Sequence, residues 1–236
     1  LQSEGLDDFA AGNLLAYLDE QRAADAIVPT DRTLVLERCR DELGDWQIVL
    51  LSPFGAAVHA PWALAIAARM RQSSGMDVQV MHADDGIVLR IPDTDDDSLA
   101  EQVRAALLVD PAEITALVTS EVGGSALFAA RFREAAARAL LLPRRDPGRR
   151  APLWQQRQRS AQLLAVAAEY PSFPIVLEAM RECLQDVYDT TALREVLTGL
   201  DLGRIRLHEV ERASPSPFAR SLLFGYVAAF MYEGDS

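Results

Sequence analysis

Trp46-Gln47-Ile48-Val49-Leu50-Leu51-Ser52-Pro53-Phe54-Gly55-Ala56-Ala57-Val58-His59-Ala60-Pro61-Trp62 is the stretch from which the rest of the chain is best read. Trp46 to Leu51 is short, apolar and β-branched at its centre, so it reads as a strand. Ser52-Pro53-Phe54-Gly55 is a turn, and Ala56-Ala57-Val58-His59 reads as a short third strand. Pro61 suits the first turn of a helix. Trp62, Ile66 and Met70 then recur every four residues and share a face, until Ser73-Ser74-Gly75 supplies a C-terminal cap.

Upstream, Thr33–Arg38 is a strand, and Asp41–Asp45 turns it into the next. Downstream, Val78–His82 and Gly86–Ile91 form a hairpin around Asp84-Asp85-Gly86, since Asp-Gly is a strong hairpin signal. The order from residue 33 is βββ-α-ββ. Residues 6–26 read as an amphipathic helix. Leu14, Leu15 and Leu18 line its apolar face with Phe9 and Tyr17 nearby, and Pro29 follows its end. Beyond the acidic loop 93–97 the pattern turns helical, near 98–109, 111–121, 125–142, 153–169, 173–187 and 191–199. Residues 204–210 alternate as one late strand, and 218–232 form a last helix. The expected class is α+β. A linker helix (1–30) precedes a small mixed unit (31–97), which packs with a mainly helical part (98–236) to make one module.

The chain has 236 residues and is 50% hydrophobic, ordinary globular composition. No run reaches the roughly 18 apolar residues of a membrane span, so no membrane partner is expected. The start at Leu1 has neither Met nor signal-peptide character, which reads as a processed or excised piece. Cys39 and Cys183 form no disulfide framework and suggest a reducing, cytoplasmic setting. All 23 basic residues are Arg. Without Lys, a P-loop, Schiff-base or kinase-type lysine is excluded from this chain. The net charge of −12 falls wholly in residues 1–110, where 8 Arg face 20 Asp or Glu. Non-specific nucleic-acid binding by that half is therefore disfavoured.

Catalytic and metal signatures are missing. Gly123-Gly124-Ser125-Ala126-Leu127 opens like a nucleophile elbow but has Leu127 where Gly is needed, and reads as a helix start capped by Ser125. Asp93, Asp95 and Asp97 mimic a calcium loop whose sixth and twelfth positions fail as Ser98 and Arg104. His59, His82 and His208 lack ligand spacing. A Cys–His or Ser–His hydrolase would require those side chains to converge in a pocket. No metal and no cofactor are expected in this chain.

One segment is basic. Arg144 to Arg159 holds six Arg and one acid, net +5, around the Pro147-Gly148 turn. Arg144, Arg145, Arg149, Arg150 and Arg157 could hold phosphates bidentately, and Trp154 could stack a base. The same arginines could equally brace against the acidic first half, because guanidinium forks serve carboxylate and phosphate alike. Trp62 follows a proline at a strand-to-helix junction, where a ring can project. Its spacing with Ile66 and Met70 reads instead as core.

Residues 41–70, with Ser52-Pro53-Phe54-Gly55 and His59-Ala60-Pro61-Trp62, resemble the DEAD/H-associated domain that follows the motor in Lhr (large helicase-related) proteins. The likeness continues through Asp84–Ile87, Gly123–Glu134, Leu142–Arg145, Pro147–Arg150, Pro152–Arg157 and Ser214–Ala219, covering residues 29–234. It implies an accessory domain of an ATP-dependent superfamily 2 helicase moving 3′ to 5′ on single-stranded DNA. Such helicases unwind DNA and RNA:DNA duplexes and are linked to DNA repair. It also implies motor and winged-helix partners in the same chain, with ATP and Mg bound in that motor and no ATP hydrolysis here. Trp62 becomes the first stacking candidate, with Arg144, Arg145, Arg149 and Arg150 on the backbone. The competing expectation is a protein-docking module of the same helicase, without nucleic-acid contact.

Overall fold

The computed structural model describes residues 5–24, 26–75, 78–92, 98–142, 153–167, 170 and 172–233. After helix α1 (Asp8–Ala23), strands β1 (Thr33–Arg40) and β2 (Trp46–Leu51) pair antiparallel across the Asp41–Asp45 turn, with Arg40 opposite Trp46. Their side chains alternate between two cores. Leu34, Leu36, Ile48 and Leu50 face one side, while Val35, Val49 and Leu51 face the other.

Ala56–His59 is not the expected strand. Helix α2 (Ala56–Ser74) begins immediately after the turn and runs to Gly75. Gly55 makes the sharp entry at φ +82°, and Asp84 Oδ1 accepts from the Ala56 N–H at 3.1 Å. A cap borrowed from a distant hairpin starts the helix, so nothing local announces it. Pro61 consequently lies inside the helix, where its ring nitrogen cannot donate to the Ala57 carbonyl. The Asp189 N–H takes that carbonyl instead, at 2.9 Å.

Strands β3 (Gln79–Ala83) and β4 (Gly86–Ile91) form the expected hairpin, with Ala83 opposite Gly86 and Asp84-Asp85 as its loop. Gly86 is required by close approach: a Cβ there would lie 2.0 Å from the Leu50 carbonyl oxygen.

The remaining described elements are α3 (Leu99–Leu107), α4 (Ile114–Val122), α5 (Ala126–Arg138), α6 (Leu153–Ala167), α7 (Pro174–Arg181), α8 (Thr190–Asp201), β5 (Arg206–Glu211) and α9 (Pro217–Glu233). Ser125 caps α5 as expected, accepting from the Phe128 N–H. The helix expected over 173–187 changes to a π turn at Glu182–Val187. β5 joins the main sheet parallel to β1, with Thr33 opposite Arg206. The resulting five-stranded order is β3-β4-β2-β1-β5. Helix α2 lies against one face of the sheet with α3, α4 and α8 packed on it, and α9 covers the other face through Ala219, Leu222, Leu223 and Tyr226.

The apolar face read into α1 packs only in part: Tyr17 stacks on Phe218 with ring centroids 4.5 Å apart, and Leu18 is half-buried. Phe9, Leu14 and Leu15 stay exposed, while Gln21 is buried. Its amide donates to the Ile27 carbonyl at 3.1 Å and accepts from the Phe218 N–H at 3.0 Å. Glu37, also buried, accepts from the Ser216 N–H at 2.6 Å. The first N–H groups of a helix have no partner within it. Satisfying those at the start of α9 decides how α1 docks, and explains what Ser214–Ala219 does.

Among the described residues, no helix is long and apolar enough to cross a membrane.

Candidate nucleic-acid interface

Helix α2 carries Trp62 into the middle of the molecule. Trp62, Ile66 and Met70 are each 0% exposed, the face their spacing described. The indole N–H donates to the Leu107 carbonyl at 2.9 Å. Leu107 ends α3, where carbonyls lack helical partners, so the ring fills the core and satisfies a helix terminus together. Stacking requires an accessible ring face, and Trp62 has none. Its place among the nucleic-acid contacts is corrected accordingly: packing wins over the projection implied by the proline junction.

The residues near Trp62 form a second buried device. His59 Nδ1 lies 2.7 Å from the Ala83 carbonyl and Nε2 lies 2.8 Å from Ser52 Oγ. A carbonyl only accepts, so Nδ1 carries the proton and Nε2 accepts from the serine hydroxyl. Burial holds the imidazole below its ordinary value. The geometry is that of a Ser–His pair, but His59 and Ser52 are sealed at 0% and 1% exposure. No substrate reaches them. It is a staple joining the entry of α2 to the β3–β4 hairpin.

The thiols give no nucleophile either. Both are buried and free. Burial first, then Glu37 and Asp41, pushes the Cys39 thiol up to about 11. Burial does the same at Cys183, to about 11, against the opposing charge of Arg131 and with a smaller push from Glu182. Thiols so held are protonated and inert at neutral pH. Among the described residues, no group of His, Cys, Asp and Glu is arranged to hold a metal. Asp93, Asp95 and Asp97 lie outside the described residues.

Arg144, Arg145, Arg149 and Arg150 also lie outside the described residues. Trp154 and Arg157 fall in the opening turns of α6, but their side chains are outside the described set. The brace reading can still be weighed on the arginines that are described. Arg69 pairs with Glu113, Arg71 with Glu121, Arg104 with Glu209, Arg138 with Glu182 and Arg90 with Asp41 and Asp45. Arginine in this fold is repeatedly a strap between elements.

A different arginine group escapes that pattern. Asp31 and Arg32 before β1, Arg194, Glu195, Thr198 and Gly199 of α8, and Arg204 and Ile205 before β5 line an open concavity of about 520 Å³. Arg194 and Arg204 have no ion pair among the described residues, and Arg32 meets only its neighbour Asp31, at 3.9 Å with both side chains largely exposed. The Ile205 N–H donates to the Gly199 carbonyl and the Arg206 N–H to the Arg32 carbonyl, both at 2.9 Å. These bonds fix the backbone just after Arg204, and the Gly203 N–H, donating to the Leu200 carbonyl at 3.1 Å, fixes it just before. Sequence reading missed the group because each arginine is isolated in its own segment. Only the parallel pairing of β1 with β5, across most of the chain, brings them together.

Comparison with known proteins places these features in context. The family described as DEAD/H associated matches residues 28–219. The "Lhr helicase/ probable uracil glycosylase" of Mycolicibacterium smegmatis is 58% identical over 235 residues, which is 100% of this chain and 15% of that protein. The "Lhr helicase/uracil glycosylase" of Escherichia coli is 56% identical over 224 residues, which is 95% of this chain and 14% of that protein. A solved structure of Mycobacterium smegmatis helicase Lhr bound to ssDNA and AMP-PNP superposes with a TM-score of 0.82 at 55% identity. That match covers 94% of this chain and 28% of that one.

Proposed function

Because the chain belongs to the DEAD/H-associated family, we propose that it is an accessory domain of a 3′-to-5′ ATP-dependent helicase. In this reading it helps enclose the tracking single strand and couples translocation to unwinding of DNA and RNA:DNA duplexes, in the service of DNA repair. ATP and Mg bind the motor, which lies outside this chain along with the winged helix. The carrying observation is the match to a helicase structure that holds single-stranded DNA. The absence of any Lys agrees, since a P-loop needs one. Arg144, Arg145, Arg149, Arg150 and Arg157 serve as backbone contacts in this reading, and the stacking role passes from Trp62 to Trp154.

The test uses the full-length protein that carries this chain. Replacing Arg144, Arg145, Arg149 and Arg150 with Ala should lower unwinding per ATP hydrolysed while most DNA-stimulated hydrolysis remains. Unchanged coupling would favour the second reading, a protein-docking module. That reading has its own support in the apolar residues left outside on α1 and α9. Phe9 and Phe224 are 78% and 77% exposed, with Leu14, Leu15 and Val227 also exposed.

A further inference from the structure

We propose that Arg32, Arg194 and Arg204 form a phosphate-binding concavity that holds the backbone of a nucleic-acid single strand. The inference rests on the helicase reading above and adds to it a site separate from the Arg144–Arg150 loop.

Most described arginines are committed to carboxylates. A free guanidinium retains all its donors, and its planar fork matches two phosphate oxygens. Arg194 and Arg204 are free in this sense among the described residues, and both open into the same depression. Arg32 lines it too, with only a solvated, loosely placed partner in Asp31. The concavity is pre-built. Gly199 admits the Ile205 side chain, with atoms 2.8 Å from where a Cβ would sit, so the β5 approach lies close against α8. The backbone bonds from Ile205 to Gly199 and from Arg206 to Arg32 then tie the segment carrying Arg204 to α8 and to the approach to β1.

Three arginines against Asp31 and Glu195 leave the lining with one net positive charge. That suits transient contact with a moving strand better than tight retention. It also fits the charge distribution, because Arg194 and Arg204 belong to the electrically neutral second half. An open depression of about 520 Å³ has room for a sugar-phosphate segment rather than a single enclosed ion. Binding of this kind reads no sequence.

The experiment measures single-stranded DNA affinity of the full-length protein across a salt series. The Arg194→Ala/Arg204→Ala double variant removes two free side chains and no ion pair, so its melting curve should match the parent. The magnitude of the slope of log K against log salt should fall by about 1.4, at about 0.7 per lost phosphate contact on a single strand. Arg206→Ala serves as a control: it is exposed but lies outside the concavity, and should leave the slope unchanged. An unchanged slope in the folded double variant overturns the site. If the Arg144–Arg150 variant still lowers the slope, only this inference has failed. If neither variant alters slope or coupling, the helicase-strand reading fails too. Inorganic phosphate is the second arm. Binding of phosphate alone, lost in the double variant while the DNA slope stays unchanged, would make this a free-anion site and overturn the strand assignment.

Discussion

The neighbourhood of Trp62 and the rim around Arg194 differ in how much sequence signal they carry and in what they offer a ligand. The first is dense in distinctive residues: Ser52, His59, Trp62, Asp84 and Gly86 all lie within it. Each meets another part of the fold. Ser52 bonds His59, His59 bonds Ala83, Asp84 caps α2, Trp62 closes α3 and Gly86 touches the Leu50 carbonyl. The rim has no motif, yet it leaves guanidinium groups unpaired in an open depression. Distinctive residues here record the demands of folding, while free charge is found where the local sequence is bland.

The largest effect that could break this contrast is at Trp62. Trp62→Ala should cost about 3–5 kcal/mol in chemical denaturation, by cavity formation and the loss of a bond to Leu107. Loss of DNA coupling without loss of stability would move Trp62 to the ligand side. Glu37→Ala comes next, at about 2–3 kcal/mol. It leaves the Ser216 N–H and the Arg212 guanidinium short of an acceptor in a buried clamp. Glu37→Gln keeps an oxygen for Ser216 and should recover part of the loss.

His59 gives the pH dependence. Its folded value lies below the ordinary 6.5, chiefly through burial, although the hydrogen bond to the Ala83 carbonyl opposes, His82 adds, and Asp84 and Asp85 oppose in turn. The folded protein therefore binds fewer protons than the unfolded chain in this range. Stability should be fully present above about pH 6.5 and should fall as the pH drops below it, towards the depressed folded value. A stability profile between pH 7.5 and 5 checks this, and His59→Gln should flatten that part of it. A profile unaffected by the substitution would show that the staple is not sealed.

The smallest effect is a gain. Leu140 holds φ +60° at the end of α5, where the Leu141 N–H reaches the Ala136 carbonyl and the Leu140 N–H reaches Ala137. This helix ending is normally given to glycine. Leu140→Gly should add about 1 kcal/mol, read as a higher melting temperature, by removing left-handed strain from a largely exposed side chain.

Much of the fold was legible because it is local. Thr33–Arg40, Trp46–Leu51 and the hairpin carry strand residues with turn chemistry between them, and the later helices are bounded by Gly or Pro. Ala56–His59 was misread because its helix start is capped by Asp84, a partner no window around residue 56 contains. The packed side of α1 was only partly legible because the needs of α9 outweighed periodicity, burying Gln21 in preference to Leu14 and Leu15. At the candidate interface, the spacing of Trp62, Ile66 and Met70 describes a core face, and that packing outweighs the stacking role the resemblance implies for Trp62. Arg32, Arg194 and Arg204 could not be read together at all, since β1–β5 pairing creates their proximity.

An arginine-selective reagent offers the most direct test, because every basic side chain in this chain is Arg. The full-length protein would be treated with phenylglyoxal with and without single-stranded DNA, and modification at each arginine read by mass spectrometry. The account expects DNA to protect Arg194 and Arg204 and the Arg144–Arg150 loop. Arg69 and Arg104, tied to Glu113 and Glu209, should react equally in both samples. Equal modification of Arg194, Arg204 and Arg144–Arg150 with and without bound DNA would contradict the claim that free arginines of this domain guide the strand.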